Sequence, residues 1–305
     1  MDGAAGALRM TTTAAKPRSA RARSSRALSP RALFEVVTSA YVPLLVAVLV
    51  VLFPLLWMTL SSFKPLTEII TQTPALLPSA PTTENYATVA ERLPFGRVFL
   101  NSVLVTVVGA VLKVALAVFT AYGLVFVRFP FKNWIFAGLL VTLMVPPQVA
   151  LLPNYTLITA LGGADTYWGI ILPGLGTAFG TFLLRQHFRT LPPSLLEAAE
   201  LDGAGHWRRL TRVVLPVSAP TVATVALITI VYEWNDYLWP LVIISRPEMM
   251  TLPVGLTLLA NVDNRAAAYG QLMAGSVAVI VPVLIVFIAL QRHIIAGLTQ
   301  GAVKD

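Results

Sequence analysis

Residues 41–60, YVPLLVAVLVVLFPLLWMTL, run for twenty positions without a charged side chain. A helix needs about 20 apolar residues to cross bilayer hydrocarbon, where backbone groups have no water to bond. The stretch is therefore read as a membrane span, and much of the chain repeats its character. Of 305 residues, 56% are hydrophobic and 12% charged, and the mean hydropathy is +0.76. That composition leaves too little polar surface for a soluble domain.

Further apolar segments fall at about 98–127, 134–157, 166–184, 216–244 and 272–290. The second holds one interior charge, Lys113, and the third runs through the Pro146-Pro147 pair. With 41–60 these predict an all-α integral membrane fold of six transmembrane helices, both termini on one side. The Lys and Arg content of the connections orients it: with the N-terminus inside, the inner segments hold sixteen and the outer ones five. Positive charge collects on the cytoplasmic side, so both termini are predicted to be cytoplasmic. This also accounts for the net charge of +8 without nucleic acid as a partner. Residues 1–32 are rich in Ala, Ser and Arg, as in a transit peptide or a solvated arm. Orientation alone explains their cations, so they are read as a disordered basic cytoplasmic tail, with 33–305 as the transmembrane domain. Residues 41–60 lack a small-residue cleavage signal and are read as a retained span.

Several chemistries are excluded. The chain has no cysteine, so disulfides, thiolate nucleophiles and cysteine-held metals are absent. Its five lysines precede Pro17, Pro65, Val114, Asn133 and Asp305, so none closes a phosphate-cradling Gly-Lys-Ser/Thr loop. ATP chemistry therefore needs another chain. The three histidines, His187, His206 and His293, are widely spaced and offer no metal set or hydrolase site. Asn154-Tyr155-Thr156 matches a glycosylation sequon but sits at the end of a span, where chance explains it.

The polar stretch 197–216, EAAELDGAGHWRRLTRVVLP, interrupts this apolar chain. Ser194 after Pro192-Pro193 predicts an N-cap, Leu195–Leu201 a short helix, Asp202-Gly203 a turn, and His206–Val213 a second, basic helix. An interfacial amphipathic helix would explain Arg208, Arg209 and Arg212. It leaves the small residues Ala198, Ala199, Gly203 and Ala204 unexplained, and these suit close approach by another protein.

Other polar and aromatic residues sit within or at the ends of the apolar segments. Glu233 and Asp236 are spaced to share a helix face, and carboxylates there normally face a cavity or a partner. Packing and a pathway role stay open for both, as do a substrate contact and a partner contact for Lys113. Asn101 reads as an interfacial residue. Trp134, Trp168, Trp234 and Trp239 read as an aromatic belt, with sugar stacking an alternative for Trp234.

Glu197-Ala198-Ala199, Gly203, and Leu215-Pro216 further on resemble the EAA loop of ABC importer permeases, with Val213 where isoleucine is usual. SSFKP (61–65), MVPPQVALLPNY (144–155), ADTYWGIILP (164–173), WNDYLWPL (234–241), TLPVGL (251–256) and QRHIIAGLTQGAVK (291–304) extend the likeness. They are similar to the carbohydrate-type branch and its smaller, six-span maltose-type permease. The resemblance implies the type I importer permease fold in a bacterial inner membrane, and a transporter subunit that is not itself an enzyme. It implies a second homologous permease, two ATPase subunits that carry ATP and Mg, an extracytoplasmic solute-binding protein, and a sugar or sugar-like polyol as cargo. Lipid surrounds the spans.

Carried to this chain, the resemblance makes residues 194–216 the coupling loop. Glu197, Ala198, Ala199, Asp202, Gly203, Ala204, Leu215 and Pro216 are its ATPase-coupling residues, Glu197 as polar contact and Gly203 as bend. Glu233, Trp234, Asn235, Asp236 and Lys113 are candidates for the translocation pathway. Thr251, Leu252, Pro253, Asn261 and Asp263 are candidates for contact with the binding protein. Permeases for glycerol phosphate or glycerophosphodiesters share these motifs and are the first rival, against which the acidic pair argues. An ion-coupled secondary transporter is the second, although neither an internal repeat nor an ion site is visible. An intramembrane enzyme lacks a nucleophile–base constellation.

Overall fold

The computed structural model describes residues 37–69, 75–260 and 265–299, and every regular element among them is helical. The expected tail at 1–32 lies outside the described residues. The chain divides into two units, residues 1–53 and 54–305. In the first, residues 42–53 begin helix α1 (Val42–Ser62), and all of their side chains are exposed. A helix apolar on every side belongs in lipid.

The second unit is a bundle around helix α3 (Phe95–Phe126), which follows the short amphipathic helix α2 (Glu84–Arg92). Its 32 residues span about 48 Å at the helical rise. Small side chains let neighbours approach it closely. A Cβ on Gly180 would lie 3.2 Å from both Ala117 and Val225. Three helices therefore meet there: α3, α7 (Ala178–Phe188) and α10 (Ala219–Trp234). Helix α12 (Leu252–Ala260) packs on α13 (Arg265–Thr299), which also lies against α10.

Among the described residues, three helices are each long and apolar enough to cross a membrane: Val42–Ser62, Phe95–Phe126 and Ala268–Ala289. The other three expected spans are bent pairs. Helix α4 (Lys132–Met144) meets Pro147–Ala160, which includes α5 (Leu151–Ala160), at 95°. Pro146 and Pro147 cause this break, since a proline lacks the helical N–H and pushes its predecessor out of helical geometry. The expected 134–157 crossing is thus sharply broken. Helix α6 (Tyr167–Ile171), extended by a tighter turn through Pro173, meets α7 at 46°.

The fifth segment differs more. Residues 206–217 and 219–243 form an 83° corner at Ser218, so the apolar helix starts at Ala219, not at Pro216. Pro220 then occupies its first turn, where a missing N–H is harmless.

Candidate functional site

Helix α8 (Pro193–Leu201) opens the polar connection. It starts at Pro193 with Pro192 as N-cap, so Ser194 lies inside its first turn and is not the expected cap. Proline at the first helical position is already set to the helical φ. The C-terminus closes as a Schellman turn: Ala204 N–H donates to Ala199 O at 2.9 Å and Gly203 N–H to Glu200 O at 3.0 Å. Gly203 has φ +70, which a residue with a Cβ adopts only under strain. The turn buries Ala199 and Ala204. These two alanines therefore close the corner and offer no surface to a partner.

Glu197, Ala198, Asp202 and Gly203 remain exposed. So do two apolar residues that sequence reading passed over, Leu201 at 90% and Trp207 at 68%. Helix α9 (His206–Arg209) continues through a π-helical turn, Leu210–Val214, that drives Leu210 and Val214 into the core beside Ala117, Leu184 and Phe188. Tyr122 and His206 share a hydrogen bond at 3.1 Å, and Trp207 stacks on Phe119. Leu215 is half-buried and Pro216 exposed in the last turn before the corner.

Beside this connection lies a cleft of about 730 Å³ whose charged lining is Lys132, Arg185, Arg189, Arg209, Glu197 and Glu200. Arg209 pairs with Glu200 at 3.4 Å, and the Arg185 guanidinium lies 3.8 Å over the Phe136 ring.

At membrane depth, Lys113 and Glu233 form an ion pair between α3 and α10, with side chains 15% and 12% exposed. Each charge sits against a glycine. A Cβ on Gly109 would come within 2.6 Å of the Glu233 carboxylate, and one on Gly174 within 2.8 Å of the Lys113 ammonium.

The expected shared helix face of Glu233 and Asp236 is not formed. Helix α10 ends at Trp234, and Asp236 stands exposed in the break before α11 (Leu238–Ile243). Asn235 is exposed and donates back to Val231 O. Trp234 is buried, with its indole N–H on Val279 O at 2.9 Å. It is neither a belt residue nor an open stacking surface. Trp134 and Trp168 are exposed as a belt requires, while Trp239 donates to Gly169 O and Ile170 O.

At the end of the bundle away from the 193–217 connection, polar side chains hold the backbone of residues 243–252. Asn101, expected at the interface, is buried: its amide donates to Glu248 O at 2.8 Å and Met250 O at 3.0 Å, and it accepts from the Tyr167 hydroxyl at 2.7 Å. Asp165, at φ +55, accepts from Ser245 and Arg246 N–H at 2.6 and 2.9 Å. Ser102 Oγ accepts from Leu252 N–H at 2.6 Å. Thr251 and Leu252 are buried and Pro253 partly so. The residues open to another protein here are Ser245–Glu248, not Thr251 and Leu252. Asn261 and Asp263 lie outside the described residues.

Apolar helices of spanning length, three broken pairs and a buried Lys–Glu pair between two of the helices are the architecture of a membrane-embedded helical protein. The chain belongs to the binding-protein-dependent transport system inner membrane component family, whose model matches residues 113–300. It is 33% identical over 264 residues to the sn-glycerol-3-phosphate transport system permease protein UgpE of Brucella abortus (strain 2308), covering 84% of this chain and 94% of that one. It is 37% identical over 259 residues to the arabinooligosaccharides transport system permease protein AraQ of Halalkalibacterium halodurans, covering 84% and 92%. Among solved structures, a bacterial ABC transporter involved in import of the acidic polysaccharide alginate has a chain with TM-score 0.74 at 26% identity, covering 85% of this chain and 96% of that one.

Proposed function

We infer that this chain is a permease subunit of an ATP-driven importer and that its cargo is a sugar or sugar-like polyol. Each bent pair counts as one crossing in this reading, giving six spans with cytoplasmic termini. The observation that carries it is the connection 193–217: a charged, exposed tip on a Schellman turn, tied to the bundle core through Leu210 and Val214. A push on Glu197 or Leu201 therefore reaches α3, α7 and α10 without being absorbed by a slack loop. Two ATPase subunits holding ATP and Mg would dock there and on a second permease. The binding protein would meet the opposite face, where Ser245–Glu248 is open. Lipid would cover the exposed apolar helices.

The relatives carry both neutral and anionic cargo, so the choice between a sugar and glycerol phosphate rests on this chain's own charges. Lys113 is already paired with Glu233, which favours the sugar.

The chain, tagged and extracted in mild detergent, should co-purify with a second permease and an ATPase whose hydrolysis is stimulated by cargo-loaded binding protein. Glu197→Lys should leave the bundle folded and abolish that stimulation. A mutant complex with normal stimulated hydrolysis would remove the coupling role.

A further inference from the structure

Four of the six charged residues that line the cleft beside the 193–217 connection are cations: Lys132, Arg185, Arg189 and Arg209. Arg209 is paired with Glu200, which leaves three cations against one carboxylate, Glu197. Among the described residues, none of these three forms an ion pair. Arg185 and Arg189 stand one helical turn apart, with Arg189 N–H donating to Arg185 O at 3.1 Å. Like charges at that spacing repel. The Nε–H groups of Arg185 and Arg209 are buried and lack a hydrogen-bond partner. A buried donor left unpaired is unfavourable, and a guanidinium is satisfied best by an oxyanion.

Position and size select the anion. Lys132 opens α4 and Arg185 lies in the last turn of α7, so both cations sit where apolar helices end. Phe131 and Trp134, on either side of Lys132 and Asn133, are 74% and 77% exposed. Exposed aromatic side chains beside a cation suit the boundary between hydrocarbon and headgroups. The cleft's volume of about 730 Å³ falls within the roughly 300–1,000 Å³ of small-molecule sites and is more than a bare phosphate ion fills.

Taking the side of the membrane from the importer reading, on which this inference rests, we propose that the cleft is a binding site for the phosphate of an anionic phospholipid headgroup in the cytoplasmic leaflet. Arg185 and Arg189 share the phosphate oxygens, which relieves their mutual repulsion, and Lys132 supplies a third charge from α4. The headgroup then ties the start of α4 and the end of α7 to one ligand beside α8, which carries Glu197 and Leu201. The seat of the connection stiffens on binding, so anionic lipid raises the coupling of ATP hydrolysis to cargo. A zwitterionic headgroup brings its own cation to a cleft that already holds an excess, and binds weakly.

The test uses the complete complex, with partner permease, ATPases and binding protein. Short-chain phosphatidylglycerol, short-chain phosphatidylcholine and inorganic phosphate are titrated against it in neutral detergent, and binding is read from the shift in melting temperature. Phosphatidylglycerol should bind and the other two should not. The double variant Lys132→Gln, Arg189→Gln should weaken that binding about tenfold, the size of one charge-assisted hydrogen bond. It leaves the Arg185 guanidinium on the Phe136 ring, so the bundle keeps its packing. Arg128→Gln removes an exposed cation from the turn between α3 and α4 that does not line the cleft, and should bind as wild type does. In proteoliposomes, adding phosphatidylglycerol to phosphatidylcholine should raise cargo-stimulated ATP hydrolysis severalfold in wild type and leave the double variant unchanged. Equal weakening in Arg128→Gln would mean diffuse attraction to lipid and overturns the site. Inorganic phosphate that binds as well as phosphatidylglycerol makes the ligand a free phosphate and overturns the headgroup. A double variant that loses the ATPase on purification while its lipid binding is unaltered makes the cleft part of a protein interface and also overturns the site. Lipid binding is read without turnover: a wild-type complex that binds the headgroup but shows no stimulated hydrolysis in any bilayer overturns the importer reading and leaves the lipid site standing.

Discussion

Residues 193–217 and residues 243–252 both return the chain between helices and both bury apolar side chains, Leu210 and Val214 in one and Ile243 and Leu252 in the other, but the second adds hydrogen bonds from side chains of other elements. At the first, Leu210 and Val214 sit in the core, Val214 fully buried, while the tip stays open. At the second, Asn101, Ser102 and Asp165 reach from other elements and bind five backbone groups of the returning chain. Close apolar packing resists compression and transmits strain, so it suits an element that is pushed. Hydrogen bonds fix direction and distance, so they suit a surface whose shape must be preset.

The comparison is broken most forcefully at the apolar anchor. Leu210→Ala removes a side chain that is 3% exposed and should cost about 2–5 kcal/mol, the range for such cavities. Thermal unfolding of the purified complex reads the loss, and cargo-stimulated ATP hydrolysis should fall with it. If stability drops but stimulation holds, the anchor is only packing and the contrast fails.

Asn101→Ala is the matching cut at the polar end. It leaves Glu248 O and Met250 O without their donor, at a cost of about 1–3 kcal/mol. Amide exchange should rise across residues 243–252 and stay unchanged across 193–217. Equal loosening of both would mean that the two ends are not independent.

Much of this architecture was legible because apolar run length and turn chemistry are local. Residues 41–60 and 98–127 declare helices of spanning length, and Asp202-Gly203 declares a turn that the left-handed Gly203 fulfils. The prolines at 146 and 147 mark a break, but its angle of 95° is not written in them. Asn235, Asp236 and Pro240 are helix-ending signals after Trp234, but inside a long apolar run they were passed over, and the spacing of Glu233 and Asp236 was read on a helix that stops between them. Lys113 and Glu233 are 120 residues apart, and no local pattern joins them. Asn101 carried a usable signal: one amide inside an apolar run must find partners when buried, and its two carbonyls come from a loop almost 150 residues away.

The smallest cut sharpens the contrast. Tyr122 bonds to His206 at 3.1 Å and presents its ring nearly perpendicular to the imidazole, a side-chain hydrogen bond that ties α3 to the 193–217 connection. Tyr122→Phe keeps the ring against Phe126 and deletes only the hydroxyl. His206 is exposed, so water takes the lost place and the cost should lie at the low end of about 0.5–1.5 kcal/mol. Melting should barely move, while the amides of residues 206–209 exchange a few-fold faster. No change at all would assign the whole anchor to Leu210 and Val214. A loss as large as that of Leu210→Ala would instead make the coupling end a polar clamp like its counterpart, and the distinction between a pushed element and a preset surface would disappear.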